Sequence, residues 1–171
     1  IKPFYKIDIF IHEQNSILGR TNSLFLTFTK KFFINFDIRH KINDKFHKKI
    51  FVVGSPERQI LNLSKQKDNK SIFTIFIYGG SQGSEFLSNF SIKLMKIIAE
   101  EKKINVNYII QSPKKMIKKI IDSTVGISSS ITVKDYFYNI EEVLENTSLA
   151  ISRSGAGSIN DLIKFEIPSI L

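Results

Sequence analysis

From residue 71 onward, apolar runs of strand length alternate with segments in which apolar residues recur at helical spacing. The runs predict strands at residues 71–78, 105–110, 129–134, 149–152 and 168–171, and the intervening segments predict helices at residues 86–101, 113–123, 140–145 and 158–165. In the longest helix the recurring apolar positions predict the buried face, namely Phe86, Leu87, Phe90, Leu94, Ile97 and Ile98. Strands that alternate with helices indicate βαβ units, and therefore a parallel sheet with right-handed crossovers.

The first third of the chain shows similar segments at less regular spacing. Strands are predicted at residues 7–11, 32–36 and 50–53, and a helix over residues 21–31, where Leu24, Phe25, Phe28 and Phe32 recur at helical spacing. Residues 61–70 are polar and rich in Lys, Asn and Ser, which is typical of a linker. We therefore expect two parts, residues 1–58 and residues 59–171.

Composition narrows the picture without assigning a function. The 171 residues suffice for one domain or parts of two, and 25 Lys and Arg against 16 Asp and Glu give a formal net charge of +9. Because the basic residues scatter over linkers and helix flanks, a nucleic-acid-binding face is disfavoured. There is no cysteine, which excludes disulfides and thiolate metal sites, and no apolar run reaches the roughly 20 residues of a membrane-spanning helix. The three histidines lack a metal-ligand spacing, and we expect neither a metal nor a cofactor.

Two glycine-rich segments each follow a predicted strand and precede a predicted helix. The first is GGSQGS at residues 79–84, and the second is SRSGAGSIND at residues 152–161. Such a loop can present backbone N–H groups and the positive end of a helix dipole to a phosphate. The first segment could also be only a tight turn, and it matches neither the P-loop nor the usual dinucleotide pattern. In the second, Ser154 or Gly155 is the expected N-cap, and Asp161 could either bind a ribose or complete a capping box.

Two further polar motifs lie in the first part. The loop HEQN at residues 12–15 carries four polar side chains in a row, which suggests ligand binding more than folding. Asn15 could bond a sugar hydroxyl or amide, whereas His12 is more often a structural hydrogen-bonding residue than a base in such a loop. The segment GSPER at residues 54–58 ends in Arg58, which could be a surface cation or could close on a phosphate.

Taken in order, HEQN, LGRTN at residues 18–22, GSPER, GGSQG and SRSGAG resemble the motifs of the MurG family of bacterial N-acetylglucosaminyltransferases. The resemblance covers nearly the whole chain. It implies a GT-B fold, in which two Rossmann-like domains with parallel sheets flank a cleft. It also implies a metal-independent, inverting transfer of N-acetylglucosamine from UDP-GlcNAc to a muramyl pentapeptide carried on undecaprenyl diphosphate.

The resemblance also implies which residues meet the donor. Ser81 would contact the diphosphate, and Phe137 would contact uracil through its backbone. Asn15 would reach the donor from the first domain, and Arg58 would lie at the hinge. Asp161 stands where the family usually has Glu for the ribose, and GSPER departs from the usual Gly-Asn-Pro. The start of the last full helix would face the diphosphate and sugar, through Ala156, Gly157, Ser158, Ile159 and Asn160, although Gly157 and Asn160 are not the residues expected there.

The family's Thr-Gly-Gly-His loop, which supplies the expected base, and its later His-Gln-x-x-Asn-Ala segment do not occur in this sequence. We therefore expect an internal fragment in which both domains are cut short, and we expect it to be inactive alone. By the resemblance, the complete enzyme would work at the cytoplasmic face of the inner membrane, bound peripherally to its anionic surface. The alternatives are a non-catalytic nucleotide-sugar-binding remnant and, ranked lower, a nucleic-acid-binding protein or a nicotinamide oxidoreductase.

Overall fold

The computed structural model describes residues 7–56, 72–80, 83–101, 105–127 and 129–171. Contacts within the chain divide it into two compact units, Ile1–Arg58 and Gln59–Leu171, called unit 1 and unit 2 below. The predicted site residues Arg58 and Ser81, and the predicted linker, lie outside the described residues. None of the helices in the described part is long and apolar enough to cross a membrane.

Unit 1 contains, within its described residues, a parallel sheet in the order β1-β2-β3. The strands are β1 (Phe10–Glu13), β2 (Lys31–Ile34) and β3 (Ile50–Val52), and helix α1 (Arg20–Phe25) follows β1. Short 3-10 helices lie at Leu26–Phe28, Arg39–Lys41 and Asp44–Lys49. One face of the sheet is buried against the connecting segments, and its core consists of Leu26, Phe32, Ile34, Ile38, Ile42 and Ile50.

The predicted helix over residues 21–31 is wrong beyond Phe25. Leu24, Phe25 and Phe28, the expected buried face, are exposed, and Leu26 is the residue that enters the core. The helical stretch tightens into a 3-10 helix over Leu26–Phe28 and ends where Thr29 is extended, with the Thr29 hydroxyl donating to the Phe25 carbonyl at 2.8 Å. The chain then enters β2, whose pairing with β1 runs from Phe10↔Lys31 to Glu13↔Ile34 and so places β1 later than predicted.

Unit 2 contains, within its described residues, a parallel sheet in the order β6-β5-β4-β7-β8. The strands are β4 (Phe73–Tyr78), β5 (Val106–Gln111), β6 (Ser130–Lys134), β7 (Leu149–Ser152) and β8 (Ser169–Ile170). The helices that connect them are α2 (Glu85–Glu100), α3 (Lys114–Ser123), α4 (Ile140–Glu145) and α5 (Ala156–Lys164). All four strand pairs are parallel, which confirms the α/β prediction.

The central strand β4 separates two hydrophobic cores. Ile75 and Ile77 face one core, to which α2 and α3 contribute Met95 and Ile120. Phe76 and Tyr78 face the other core, to which α4 and α5 contribute Leu144 and Leu162, among others. Because successive strand residues point to opposite faces, an almost continuous apolar strand is what a sheet covered on both sides requires.

The predicted buried face of α2 is only partly right. Phe86 and Ile97 are 76% and 60% exposed, whereas the sheet-facing side consists of Leu87, Ser88, Ser91, Ile92 and Met95. The buried serines are satisfied, because the Ser88 hydroxyl donates to the Ser84 carbonyl and the Ser91 hydroxyl to the Ser88 carbonyl, each at 2.8 Å. Small residues let the helix approach the sheet closely. Hydrophobic periodicity does not predict such positions, because serine counts as polar.

Parallel pairing brings the carboxyl ends of the unit 2 strands to one edge. Tyr78, the last residue of β4, pairs with Gln111 on one side and with Ser152 on the other. The segments that follow these strands therefore emerge beside one another, at the edge where open α/β sheets bind their ligands.

Candidate functional site

The two glycine-rich loops of unit 2 meet at this edge. A cavity of about 230 Å³ is lined by residues that follow β4 and β7, namely Gly79, Gly80, Arg153, Ser154, Gly155 and Ser158. Arg153 and Ser154 also line a more apolar neighbouring cavity of about 600 Å³, whose other walls include Phe86, Phe90 and Ile170. Because parallel strands with right-handed crossovers place their carboxyl ends on one edge, the order of elements predicts that these two loops meet, and their described residues do so.

Helix α5 presents an open N-terminus to the smaller cavity. Its N-cap is Gly155, with an extended backbone at φ −70° and ψ 143° and with no side-chain cap. The first N–H that bonds back along the helix is that of Ile159, which donates to the Gly155 carbonyl at 2.9 Å. The preceding N–H groups and the helix dipole are the features that favour a bound anion.

The capping-box alternative for this helix is wrong. Gly155 has no side chain that could accept a hydrogen bond from the first-turn N–H groups, and no acidic residue lies in the first turn of α5. Asp161 lies in the second turn, too far along the helix to reach back to its N-cap backbone N–H.

The loop after β4 depends on glycine for steric reasons. A Cβ on Gly79 would lie 2.5 Å from Ser84 Cβ. Gly83 has φ +70°, and a Cβ there would lie 2.7 Å from Pro113 Cδ. Ser84 caps α2 by accepting a hydrogen bond from the Leu87 N–H at 3.3 Å. Gly83, whose N–H donates to the Gly80 carbonyl at 3.0 Å, thus packs on Pro113 at the start of α3 and holds Gly80 at the cavity.

Tyr78 is a residue of this edge that none of the sequence motifs includes. It is 3% exposed, and its hydroxyl has no hydrogen-bond partner. The hydroxyl lies near those of Ser152 and Ser158 but meets hydrogen-bond geometry with neither. Burial raises the pKa of Tyr78, the two serine hydroxyls oppose that shift, and the charge of Asp161 adds to it. The hydroxyl therefore stays protonated at neutral pH and is available as a donor. A polar aromatic residue directly before Gly-Gly, at the end of a mostly apolar strand, is the sequence signal that indicates it.

Phe137 follows β6 at the same edge, with its side chain in the core. Its ring is 9% exposed and meets Phe76 edge-on, with centroids 5.8 Å apart. The Lys134 ammonium lies 5.5 Å from the Phe137 ring centroid. With the ring committed to packing, the backbone of Phe137 is the part left for a ligand, and its contact with uracil stays a prediction.

The predicted donor-binding residues from Ala156 to Asp161 occupy the first two turns of α5. Of these, Ser158 lines the cavity between the loops. Ile159 lines a different cavity, of about 450 Å³, together with Leu162, Ile163 and Pro168 among others. A Cβ on Gly157 would meet nothing within 4 Å. The structure thus brings Ser158 to Gly79 and Gly80 and directs Ile159 elsewhere.

The polar loop of unit 1 is organised around Glu13, which is 3% exposed. One carboxylate oxygen accepts the Asn15 N–H and side-chain amide at 3.1 and 3.0 Å, and the other accepts the Gly19 N–H and Asn22 side-chain amide, both at 2.8 Å. Burial alone would raise the pKa of Glu13, but these hydrogen bonds outweigh it, and the pKa is lowered from 4.5. The expectation that HEQN has little to do with folding is therefore wrong for Glu13.

The neighbours of Glu13 also have structural contacts. His12 Nε2 lies 2.9 Å from the Gly54 carbonyl, which makes His12 a link between β1 and the residues after β3. Asn15 is exposed, with its amide nitrogen bonded to Glu13. Among the described residues of the chain, no group of three or more His, Asp or Glu side chains could hold a metal ion.

Comparison with known proteins gives a consistent family. The sequence model of the glycosyltransferase family 28 C-terminal domain matches residues 74–171. A protein of Rickettsia canadensis (strain McKiel) is 33% identical over 98% of this chain and 48% of its own length. One of Thermosipho africanus (strain TCF52B) is 34% identical over 97% of this chain and 44% of its own length. Both are named UDP-N-acetylglucosamine–N-acetylmuramyl-(pentapeptide) pyrophosphoryl-undecaprenol N-acetylglucosamine transferase. The chain thus spans about half the length of the relatives it matches.

Solved structures agree on the fold. MurG of Acinetobacter baumannii superposes with a TM-score of 0.59 at 19% identity, over 94% of this chain and 44% of that one. A glycosyltransferase of kitacinnamycin gives a TM-score of 0.53 at 11% identity, over 84% of this chain and 36% of that one. These similarities support the GT-B type of α/β fold. Because the C-terminal-domain model matches more than half of the chain, the protein belongs to glycosyltransferase family 28.

Proposed function

We propose that this chain is part of a MurG-type enzyme that transfers N-acetylglucosamine from UDP-GlcNAc to a muramyl pentapeptide on undecaprenyl diphosphate. The relatives named for that reaction are 33% and 34% identical to it over almost its whole length. In this proposal, unit 1 is the last part of the acceptor domain and unit 2 is the first part of the donor domain.

The observation that carries the proposal is the cavity between the glycine-rich loops. It lies at the carboxyl ends of β4 and β7 and is lined by Gly79, Gly80, Gly155 and Ser158, among others. Backbone N–H groups, a hydroxyl and the positive end of α5 converge there, and a diphosphate is the part of UDP-GlcNAc that suits such a field. Arg153, which also lines the cavity, adds a cation.

This arrangement also suits the chemistry of transfer. When the acceptor hydroxyl attacks the anomeric carbon, the bond to the diphosphate breaks and the leaving UDP gains negative charge. The N-terminus of α5 stabilises the charge that develops, without any metal, because its dipole is already oriented before reaction. The base that accepts the hydroxyl proton is assigned to no residue of this chain.

The remaining donor contacts are assigned by position. Asp161, in the second turn of α5, would accept hydrogen bonds from the ribose hydroxyls, and the Phe137 backbone would contact uracil. Ser81, in the loop after β4, would add a donor to the diphosphate. Asn15 and Arg58 would contribute from unit 1, and Gly157, Ile159 and Asn160 from α5. We place the complete enzyme peripherally on the anionic cytoplasmic face of the inner membrane, which the net charge of +9 favours.

Calorimetric titration of UDP into this chain tests the donor site. We expect UDP to bind, and Asp161→Ala to weaken binding by about 1–3 kcal/mol, the usual cost of a lost hydrogen bond to a charged group. Asp122→Ala is the matched control. It removes the same charge from an exposed position at the end of α3, at the opposite edge of the sheet, and should leave the affinity unchanged.

Two results would count against the proposal. If UDP does not bind to the unaltered chain, the donor site itself is wrong. If Asp161→Ala and Asp122→Ala have equal effects, the site survives but the ribose assignment fails, because the effect would then not depend on where the carboxylate lies.

A further inference from the structure

The Tyr78 hydroxyl is buried, protonated and without a partner, and it belongs to a strand that ends at the candidate donor site. A buried hydroxyl without a hydrogen bond destabilises a folded protein. Such groups are therefore rare in native structures unless they have a functional role. Tyr108, on β5, has the second unpartnered buried side-chain polar atom of the described structure. It faces the other core, on the α2 and α3 side of the sheet.

Packing places Tyr78 beneath the first turn of α5. Tyr78 pairs with Ser152 across β4 and β7, and α5 begins four residues after Ser152. Tyr78 packs in the same core cluster as Leu162. Ser158 precedes Leu162 by one helical turn and so lies on the same side of α5. The side chain of Ser158 is therefore positioned between the buried phenol and the cavity that Ser158 lines.

The two neighbouring serines differ in their availability. The Ser152 hydroxyl donates to the Arg153 carbonyl at 3.3 Å and is itself buried. Ser158 is half-buried and faces the cavity, where a phosphate would need a donor. A serine hydroxyl has one proton to give and two lone pairs with which to accept. It can therefore accept from a tyrosine while it donates to a phosphate.

We propose that Tyr78 is a positioning residue of the donor site, whose hydroxyl donates to Ser158 when Ser158 turns to donate to a phosphate oxygen of a nucleoside diphosphate. This inference rests on the proposed donor function. The two hydrogen bonds, from Tyr78 to Ser158 and from Ser158 to the phosphate, strengthen each other because each polarises the next. The phenol, unpartnered without ligand, gains its hydrogen bond when the diphosphate is bound.

Removing only the hydroxyl tests the inference. Tyr78→Phe should weaken UDP binding by about 3- to 10-fold, the range for one hydrogen bond. It should leave uridine binding unchanged, because uridine has no phosphate for Ser158 to meet. Its melting temperature without ligand should not fall, since the lost hydroxyl had no partner. Tyr108→Phe, which removes the matched unpartnered hydroxyl from the other core, should leave both affinities unchanged.

A double-mutant cycle with Ser158→Ala identifies the partner. If Tyr78 acts through Ser158, Tyr78→Phe should have no further effect on UDP affinity once Ser158 is Ala. Equal UDP affinity of Tyr78→Phe and the unaltered chain would overturn the inference while leaving the donor site intact. An equal loss for uridine, or an undiminished loss in the Ser158→Ala background, would also overturn it. If the unaltered chain binds no UDP, the proposed function fails as well.

Discussion

The loop after β1 in unit 1 and the loops at the sheet edge of unit 2 are both rich in polar residues, but they use them differently. In unit 1, the Glu13 carboxylate accepts four hydrogen bonds from Asn15, Gly19 and Asn22, so these donors are already satisfied. In unit 2, Gly155 caps α5 without a side chain, and Ser158 faces a cavity. The polar groups of the first loop stabilise the loop itself, whereas those of the second remain available to a ligand.

This difference shows that a run of chemically capable residues is not by itself evidence of a binding site. HEQN is the more conspicuous motif, yet its glutamate is buried and its histidine contacts the Gly54 carbonyl. The two loops at the sheet edge of unit 2 contain mostly glycine and serine. What marks it as a site is the location at the carboxyl edge of a parallel sheet, where backbone donors converge.

The largest expected effect comes from breaking the Glu13 hydrogen bonds. Glu13→Gln keeps the shape of the side chain but puts an amide NH₂ where one carboxylate oxygen accepted two donors. We expect unit 1 to lose about 2–3 kcal/mol of stability, because buried donors are left unsatisfied. Native-state hydrogen exchange of the Ile34 amide, in the central strand of the unit 1 sheet, measures this loss. Asp44→Asn, at a side chain that is 98% exposed, should change it by no more than about 0.5 kcal/mol.

The same carboxylate makes unit 1 sensitive to acid. The folded state holds the pKa of Glu13 below 4.5, so its stabilisation is complete above that value and is lost as the pH falls through the lowered folded-state pKa. The Gly19 amide proton, which donates to this carboxylate, should therefore titrate in an NMR experiment with a midpoint below 4.5. A midpoint above 4.5 would contradict the hydrogen-bond account, and Glu13→Gln should abolish the transition.

A smaller effect on stability should distinguish Gly79, where the fold leaves no room for a side chain, from Gly157, where it does. Gly79→Ala puts a Cβ 2.5 Å from Ser84 Cβ, and overpacking of this kind costs about 1–3 kcal/mol. Gly157→Ala, where a Cβ meets nothing within 4 Å, should instead stabilise α5 by up to about 1 kcal/mol through helix propensity. Thermal unfolding of both variants tests this ordering, and equal shifts in one direction would show that the loop geometry is wrong.

Much of unit 2 follows from its sequence. The predictions for α4 and β7 agree with the observed elements, and the parallel order follows from strands that alternate with helices. The meeting of the two glycine-rich loops was also predictable, because parallel strands with right-handed crossovers place their carboxyl ends on one edge.

The features that could not be predicted from the sequence depend on which residues meet in the folded chain. Hydrophobic periodicity predicts that Phe86 lies on the buried face of α2. The face that packs on the sheet contains Ser88 and Ser91 instead. The role of Glu13 depends on a turn that brings Gly19 and Asn22 back to it. Tyr78 occupies an ordinary strand position, and only its missing hydrogen-bond partner distinguishes it.

The central claim is that the loop after β4 and the start of α5 together bind a diphosphate. Its most direct test is an NMR titration of the ¹⁵N-labelled chain with UDP, with uridine as the reference ligand. We predict that UDP shifts the backbone amides of Gly80, Gly157 and Ser158, and that uridine leaves them in place while it shifts residues near Phe137. If UDP binds without moving the amides of Gly80 and the first turn of α5, the diphosphate lies elsewhere and the account is wrong.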